Sequence, residues 1–299
     1  MRRRGPARRQ GAANNDGREA TMPNGEIVES FEEKLEDIRR RARTVEVDGE
    51  ELYLVEGDLL LDEDQLREYA ARQARLEEMD KIREEGGGVG LVPRPSPALV
   101  GITEGGRIIR WGPGVVLGYC VLRSTFERDD QYEEVRDNME TATREWEETC
   151  GVKFEHKGDL DASASTAPEG VLFPVRGLDV GGRFIAAAFF PNDPRNRRRV
   201  VIDPSYFRTS FDQVGVLRHE LGHVLGFRHE HIRSGAPAVC RGESTVDTID
   251  LTAYDPQSCM HYFCGEVGTR DLKITEVDKT GARKVYGLPL AQLRFIDVN

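Results

Sequence analysis

Three histidines and a glutamate stand at spacings that suit a catalytic metal ion. Residues 219–231 read HELGHVLGFRHEH and contain His219, Glu220, His223 and His229. Residues four apart on a helix lie on one face, so the imidazoles of His219 and His223 can bind the same zinc ion. Glu220 projects about 100° round that helix, within reach of a water at the metal. The pattern therefore predicts a zinc site with a carboxylate beside it.

The position of Gly226 predicts how His229 reaches the same ion. Glycine adopts the left-handed backbone conformation at little cost, so the helix can end there and the chain can turn back. His229 then supplies the third ligand. Three protein ligands leave one position open for water, which distinguishes a catalytic zinc from a closed structural one.

The chemistry predicted for this arrangement is hydrolysis of peptide bonds. Zinc lowers the pKa of its bound water toward about 7 and polarises the scissile carbonyl. Glu220 acts as the general base, taking a proton from that water and passing it later to the leaving amine. We therefore expect a zinc-dependent endopeptidase with one catalytic Zn²⁺ ion and a protein or peptide substrate.

Two separated motifs resemble those of the metzincin metallopeptidases. The extended metzincin motif is H-E-x-x-H-x-x-G-x-x-H, followed by a turn that bears a methionine. Residues 258–262 read SCMHY, which looks like this Met-turn, with Met260 beneath the metal. Through GFRHEHIR and YDPQSCMHY the chain is most similar to the astacin-like group, and the pattern over residues 98–287 is similar to bacterial members.

The resemblance implies a fold and roles for further residues. The implied fold is α+β: a metzincin-type catalytic domain with a twisted mixed five-stranded sheet, an active-site helix, and an irregular C-terminal half with the Met-turn and a final helix. Tyr262 is expected to approach the zinc and stabilise the tetrahedral intermediate, and Glu230 to contact the N-terminus of the mature enzyme. Residues 183–190, RFIAAAFF, are expected to pair with an extended substrate as an edge strand.

A shorter resemblance suggests a latent form of the enzyme. Residues 55–60 read VEGDLL, similar to a segment of astacin propeptides whose aspartate binds the catalytic zinc and excludes water. Asp58 is the matching residue, and a carboxylate is a competent zinc ligand. The alternative is an ordinary turn formed by a Gly-Asp pair.

Composition divides the chain into three parts. Residues 1–25 are expected to be a disordered tail, residues 26–97 an N-terminal pro-like helical segment, and residues 98–299 the zinc metalloprotease catalytic domain. The Gly-then-Pro stretch over 86–97 marks the boundary. Whether the chain is processed near residues 86–112 is left open. Within the N-terminal segment, 30–43 and 62–85 read as helices and 45–61 alternates like strands, with Asp62 and Gln65 as a capping box.

Periodicity predicts the main elements of the catalytic part. Residues 129–149 carry apolar side chains at steps of three and four, which indicates an amphipathic helix. A second helix is expected to begin after Thr209 or Ser210 as its cap and to carry the histidines. Strands are expected at 115–122, 151–156, 171–177, 183–190 and 197–203, and a final helix at about 275–286.

Charge and hydropathy exclude some partners. A net charge of −11 argues against a nucleic-acid backbone as the main partner. The longest apolar runs fall short of the roughly 18 residues that a membrane helix needs. The family resemblance suggests a secreted or extracellular enzyme, although five arginines in the first nine residues are followed by no apolar signal region. The oligomeric state stays open.

The chain contains five cysteines. Among the possible disulfides, Cys240–Cys264 and Cys120–Cys150 are the preferred pairs.

Two rival functions are also considered. One rival function is a zinc hydrolase that uses only H-E-x-x-H and takes a distant glutamate as its third ligand. The other is a catalytically silent metzincin-fold binding protein, against which the intact Glu220 argues. Side-chain preference and structural calcium are left open.

Overall fold

The computed structural model describes residues 24–71, 73–74, 99–233, 236 and 248–290. The tail expected over residues 1–25 falls almost wholly outside these ranges. The Gly/Pro stretch over 86–97, the second half of the helix expected over 62–85, and Cys240 also lie outside the described residues.

The N-terminal part combines helices with a small sheet. Helix α1 (Asn24–Arg41) is followed by strands β1 (Arg43–Val47), β2 (Glu50–Val55) and β3 (Leu59–Leu61), which pair antiparallel in the order β1-β2-β3. Helix α2 covers residues 63–71. The N–H of Gln65 donates to Asp62 Oδ1 (2.6 Å) and the N–H of Asp62 donates to Gln65 Oε1 (3.1 Å), which confirms the predicted capping box.

The part of the chain from residue 99 onward, called the C-terminal part, is built on a mixed five-stranded sheet. Its strands are β6 (Val116–Val121), β7 (Lys153–His156), β8 (Phe173–Gly177), β9 (Ala186–Ala187) and β10 (Val200–Ile202), in the order β7-β6-β8-β10-β9. The first four in this order run parallel, and the edge strand β9 runs antiparallel to β10. A second sheet holds β4 (Val100–Glu104), β5 (Arg107–Ile108), β11 (Phe227–Arg228) and β12 (Thr248–Asp250). The expected mixed α+β architecture is confirmed.

Three helices carry the core of this part. They are α3 (Asp129–Thr149), α4 (Gln213–Val224) and α5 (Glu276–Tyr286). The predicted apolar face of α3 is buried, and it ends in Trp146, whose indole N–H donates to the Arg218 carbonyl of α4 at 2.9 Å. The expectation that Thr209 or Ser210 caps α4 is wrong. Asp212 is the cap, because its Oδ1 accepts the N–H of Gly215 at 2.6 Å.

The N-terminal sheet packs against the five-stranded sheet. Its buried side chains Val45, Val47, Leu52 and Leu54 form one apolar cluster with Phe184, Ala187 and Val201 of the C-terminal part. A second cluster joins Leu35, Leu59 and Leu66 with Phe190 at its margin. Shared apolar packing therefore attaches the N-terminal part to the five-stranded sheet.

The disulfide expected between Cys120 and Cys150 is wrong, because both residues are buried free thiols. Side chains alternate across a strand, so Cys120 on β6 faces a cluster with Leu122 and Val171, whereas Cys150 lies in the main core on the opposite side of the sheet. Cys264 is disulfide-bonded, and its expected partner Cys240 lies outside the described residues.

Among the helices in the described ranges, none is both long enough and apolar enough to cross a bilayer.

Candidate metal centre

Helix α4 and the chain that follows it bring three histidines together. The ring nitrogens of His219, His223 and His229 and a carboxylate oxygen of Asp58 all lie within 4.8 Å of one another, and all four residues are buried. The two Nε2 atoms of His223 and His229 are 3.1 Å apart. The three histidines selected by their spacing therefore lie together, and they could hold a metal ion.

The reversal that delivers His229 takes place at Gly226, as the sequence indicated. Helix α4 ends at Val224, the N–H of Gly226 donates to the His223 carbonyl at 2.8 Å, and Gly226 has φ +89°. A side chain at this position would be strained by that φ, and its Cβ would lie 3.1 Å from the Ile109 carbonyl oxygen. The next two residues form β11, which ends immediately before His229.

Hydrogen bonds to main-chain carbonyls fix two of the imidazole rings. The Nδ1–H of His219 donates to the Cys259 carbonyl at 2.7 Å, and the Nδ1–H of His223 donates to the Phe227 carbonyl at 2.8 Å. Because Nδ1 carries the proton, Nε2 presents its lone pair to the centre. Burial lowers the pKa of His223 to about 4, which favours the neutral form that binds metals.

The buried polar atoms fit a metal ion. Within the described part of the chain, His219 Nε2 and Asp58 Oδ1 are buried and make no hydrogen bond. His219 Nε2 is 3.3 Å from Asp58 Oδ2, without the geometry of a hydrogen bond. A buried nitrogen without a partner is costly, and a cation among the three Nε2 atoms would satisfy it. Three imidazoles with one carboxylate form a donor set typical of zinc.

Glu220 is buried beside this group, and its Oε2 makes no hydrogen bond to the described residues. Burial and the charge of Asp58 hold the pKa of Glu220 well above its ordinary value. Glu220, His219 and Asp58 border a cavity of about 240 Å³. The remaining walls of the cavity are mostly apolar and include Phe184, Ile185, Phe211, Val216 and Leu272.

The turn over residues 258–261 lies under α4. Met260 is fully buried, and a Cβ added at Gly222 would come within 2.2 Å of its Sδ. Asp278 on α5 holds the turn by accepting the Ser258 hydroxyl at 2.6 Å and the Cys259 N–H at 3.0 Å. Cys259 is fully buried, and burial raises the pKa of its thiol well above the ordinary value, so it behaves as a small apolar residue.

Tyr262 lies against the histidines, with ring centroids 4.2 Å from His229 and 5.7 Å from His219. Its hydroxyl donates to the main-chain carbonyl of Glu56 at 2.6 Å. The residue expected to assist catalysis is thus at the centre, with its hydroxyl engaged by the N-terminal part.

Asp58 reaches the histidines from the N-terminal part. Its Oδ2 is 3.0 Å from His229 Nε2 and 3.6 Å from His223 Nε2. Burial by itself would raise the pKa of Asp58, yet the three histidines, His229 foremost, hold it well below its ordinary value. The carboxylate of Asp58, in the VEGDLL segment, therefore lies among the three histidines.

A buried ion pair beside the centre was missed by sequence reasoning. The carboxylate of Glu56 accepts two hydrogen bonds from Arg228, each of 2.5 Å, and the two side chains are 1% and 8% exposed. The residues are 172 positions apart. The only available signal was their position, since Glu56 lies two residues before Asp58 and Arg228 immediately precedes His229.

Glu230 is fully buried, and its carboxylate accepts three hydrogen bonds from separate segments. Its Oε2 accepts the N–H of Leu99 at 3.0 Å, and its Oε1 accepts the N–H of Asp255 at 2.9 Å and a guanidinium N–H of Arg233 at 3.2 Å. Burial raises its pKa to about 7. The contact with Leu99 places the start of the C-terminal part directly against the segment that carries His229.

The other histidines lie apart from the ligand group. His156 pairs with Asp161 at 2.9 Å at the end of β7. His231 stacks on Tyr262, and His261 contacts the Tyr254 hydroxyl at 2.9 Å. None of the three is among the residues whose ligand atoms converge in the described part of the chain.

The fold and the site together define a mixed α+β protein with a buried group of three histidines and one aspartate that could hold a metal ion. No protein-family model matches the chain. No curated protein matches it. Among solved structures, the chain is similar to high choriolytic enzyme 1, a hatching enzyme zinc-protease from Oryzias latipes (medaka fish), with 19% identity and a TM-score of 0.36 over 58% of this chain and 90% of that chain.

Proposed function

We propose that this protein is a zinc-dependent endopeptidase of the astacin-like metzincin type, with residues 98–299 as its catalytic domain. The observation that carries the proposal is the convergence of the three Nε2 atoms beside the buried carboxylate of Glu220, at the mouth of an apolar cavity. A metal centre that only stabilised the fold would not need a buried base and a cavity beside it.

The three histidines, Glu220 and Tyr262 each act on a different part of the reaction. His219, His223 and His229 hold one zinc ion, which supplies Lewis acidity toward the scissile carbonyl and lowers the pKa of water. Glu220 takes the proton of the attacking water on its carboxylate and transfers it to the leaving amine. Tyr262 donates its hydroxyl to the negative charge that develops on the carbonyl oxygen.

The N-terminal segment, residues 26–97, makes the full chain a zymogen in this proposal. Asp58 occupies the place of the water and Glu56 takes the Tyr262 hydroxyl, so both groups that act on a substrate are engaged. Loss of the segment would expose them. We place the enzyme outside the cell, acting on protein or peptide substrates, with neither a nucleic acid nor a membrane as partner.

The test is Asp58→Ala in the full-length, zinc-loaded chain, assayed with casein and a quenched peptide. We expect zinc content to stay at one ion per chain and peptide cleavage to rise at least tenfold, because the carboxylate that excludes water is gone. Chelation should abolish the cleavage. The matched control is Asp64→Ala, which removes an exposed carboxylate of α2 and should leave the rate unchanged.

Two results would contradict the proposal. If Asp58→Ala leaves the activity of the full chain unchanged with the segment still attached, the zymogen assignment fails. If the zinc-loaded variant shows no chelator-sensitive cleavage of either substrate, the peptidase assignment fails and a catalytically silent binding protein is favoured.

A further inference from the structure

The cavity beside Glu220 stays unfilled by protein although the N-terminal part covers the metal centre. Its volume is about 240 Å³, and it opens to the surface. Of the eleven described residues that border it, only Gly57 and Asp58 belong to the N-terminal part. An apolar cavity of about 150 Å³ is already large enough for a benzene ring. The C-terminal part therefore forms a site of side-chain size that the N-terminal part leaves open.

One wall of this cavity is fixed to helix α4. Leu272 forms this wall, and its carbonyl accepts a guanidinium N–H of Arg218 at 2.6 Å. The carbonyl of Asp271 accepts from the same guanidinium nitrogen at 3.0 Å. A Cβ added at Gly215 of α4 would lie 2.5 Å from the Asp271 carbonyl oxygen, so the helix and the wall are in close contact. Because Arg218 immediately precedes His219, these contacts fix the distance between the wall and the metal ligands.

Another wall is fixed to the five-stranded sheet. It is formed by Phe184, Ile185 and Ala186. Ala186 pairs with Ile202 in the ladder between β9 and β10, and the Ile185 carbonyl accepts the N–H of Asp203 at 3.0 Å. Both walls are thus held by contacts within the C-terminal part. The cavity is formed before a ligand arrives, so its shape and chemistry can select among side chains.

The chemistry of the walls favours an apolar occupant. Apart from Asp58, His219, Glu220 and Tyr262, the described residues that border the cavity are apolar, and none of them is a lysine or an arginine. A carboxylate placed there would lose its water without gaining a cation, and it would lie near the carboxylate of Glu220. An aliphatic or aromatic side chain leaves water favourably and bears no such cost.

The place of Glu220 at the cavity indicates which substrate residue would enter it. In the proposed reaction Glu220 passes its proton to the leaving amine, so that nitrogen lies within hydrogen-bond reach of the carboxylate. The side chain of the same residue begins at its Cβ, about 2.5 Å from the nitrogen. We propose that the cavity is a specificity pocket for a large apolar side chain, of the size of leucine or phenylalanine, on the residue that follows the scissile bond. The position of that residue rests on the proposed function, whereas the preference for apolar groups can be measured by binding alone.

The binding experiment uses the full-length, zinc-loaded chain carrying Asp58→Ala. A small acid can then occupy the volume of the deleted carboxylate while its tail enters the cavity, which Asp58 borders. The probes are acetate, hydrocinnamate and succinate, which present the same carboxylate with no tail, an apolar tail and a charged tail. By isothermal titration calorimetry we expect hydrocinnamate to bind with at least a tenfold lower Kd than acetate, and succinate no more tightly than acetate. The N-terminal segment does not have to leave for these probes to bind.

Filling the cavity should remove this difference. Val216→Phe adds a ring to the wall formed by α4 and should bring the ratio of the two Kd values below twofold. Ile185→Asp places a charge on a half-buried wall residue and should have the same effect, so the test does not depend on one variant folding. The matched control is Val214→Phe, the same change on the same helix at a residue that does not border the cavity, and it should keep the tenfold difference.

Zinc content and melting temperature are measured for every chain, so that a loss of binding is read only in folded, zinc-loaded protein. Equal binding of acetate and hydrocinnamate by the parent chain, or binding of neither, overturns the specificity pocket. An unchanged ratio in both Val216→Phe and Ile185→Asp overturns it as well.

Hydrolysis separates the two proposals. Quenched peptides that differ only in the residue after the scissile bond are compared in the Asp58→Ala chain, and we expect leucine and phenylalanine to exceed aspartate at least tenfold in kcat/KM. Equal values, or a preference for aspartate, overturn the specificity pocket and leave the peptidase. Absence of hydrolysis together with tighter binding of hydrocinnamate overturns the peptidase and leaves an apolar ligand site beside the metal centre.

Discussion

At the scale of single residues, the reaction proposed for the candidate metal centre depends on buried polar atoms that have no hydrogen-bond partner. Glu220 Oε2 and His219 Nε2 are buried without a hydrogen bond to the described residues. Folded proteins rarely leave such atoms unpaired, and they do so mainly where a ligand or a reaction completes them. These two atoms therefore mark where substitution should separate binding of the metal from catalysis.

Glu220→Gln should remove the general base and keep the shape of the side chain. In the Asp58→Ala chain we expect kcat/KM to fall by about 10²- to 10⁴-fold, the usual contribution of a positioned base, with zinc content unchanged. The measurements are peptide cleavage and metal analysis on the same preparation. Glu133→Gln on the exposed face of α3 is the control and should leave both unchanged. Activity within threefold of the parent would exclude Glu220 as the base.

His229→Ala distinguishes the three-histidine site from a hydrolase that recruits a distant glutamate. We expect the variant to lose its zinc under dialysis and to lose activity with it, because only two imidazoles and Asp58 remain. His156→Ala, whose partner is Asp161, should retain one ion per chain. Retention of both zinc and activity by the His229 variant would favour the distant-glutamate enzyme.

Sequence spacing predicted the ligands because they are local, whereas the residues that surround them are not. His219, His223 and His229 fall within eleven positions of one another, and helix geometry with a glycine reversal determines their convergence. Glu56 and Arg228 meet only because the N-terminal sheet packs on the five-stranded sheet. Two residues 172 positions apart that meet through apolar packing of their segments form no local spacing pattern in the sequence.

At the scale of elements, helix α4, which carries His219 and His223, is positioned by very close packing on the turn over residues 258–261. Gly222 on α4 faces Met260, and Asp278 at the start of α5 holds the same turn through the Ser258 hydroxyl and the Cys259 N–H. Contacts among α4, the turn over residues 258–261 and α5 thus determine how closely α4 approaches the turn.

Gly222→Ala should destabilise the protein although alanine is the better helix former. Propensity alone would stabilise the helix by about 1 kcal/mol. The new Cβ, however, would stand 2.2 Å from Met260 Sδ, and overpacking of this kind costs about 1–3 kcal/mol. We expect a lower melting temperature and a lower denaturant midpoint.

The control for this substitution is Gly112→Ala, where the added Cβ would meet a Val115 methyl at an ordinary 3.8 Å. Its melting temperature should stay within a degree or two of the parent. If Gly222→Ala raises the melting temperature, the packing of α4 on Met260 is loose enough to accept a Cβ at this position.

The bounds of an element were predicted correctly where its apolar residues repeat with one period. They were predicted incorrectly where a side chain competes for main-chain hydrogen bonds. Helix α3 has the predicted bounds because its apolar residues repeat over more than five turns. The stretch 183–190 contains a ladder only at Ala186–Ala187. The chain has already left the sheet before Phe190, whose N–H donates to Asp193 Oδ2 at 2.6 Å instead of to a neighbouring strand. Such local competition by an aspartate is not visible in hydropathy.

At the scale of the whole molecule, metal binding and folding should be linked. The ligands come from α4, from the segment after β11 and from the N-terminal part, so an ion held by them favours the assembled chain over the unfolded one. Zinc at about a thousand times its Kd contributes about 4 kcal/mol by mass action.

We therefore expect chelation to lower the melting temperature of the full-length chain by several degrees and added zinc to restore it, as followed by calorimetry or circular dichroism. The response should disappear in His229→Ala, which serves as the control for effects of the chelator itself. A melting temperature that is the same with and without zinc in the parent chain would contradict a metal site that spans these elements.

The contact between the two parts of the molecule determines how activation would depend on concentration. The N-terminal part shares two apolar clusters with the C-terminal part. It is also held by ion pairs of Asp48 with Arg176, Asp62 with Arg197 and Glu56 with Arg228. A single cut in the connecting chain breaks none of these contacts. The product of processing would be a two-chain complex whose inhibitory fragment leaves according to its own dissociation constant. Freshly cut enzyme should therefore remain mostly silent at high concentration and gain specific activity on dilution, so that the volume into which it is released would set its activity.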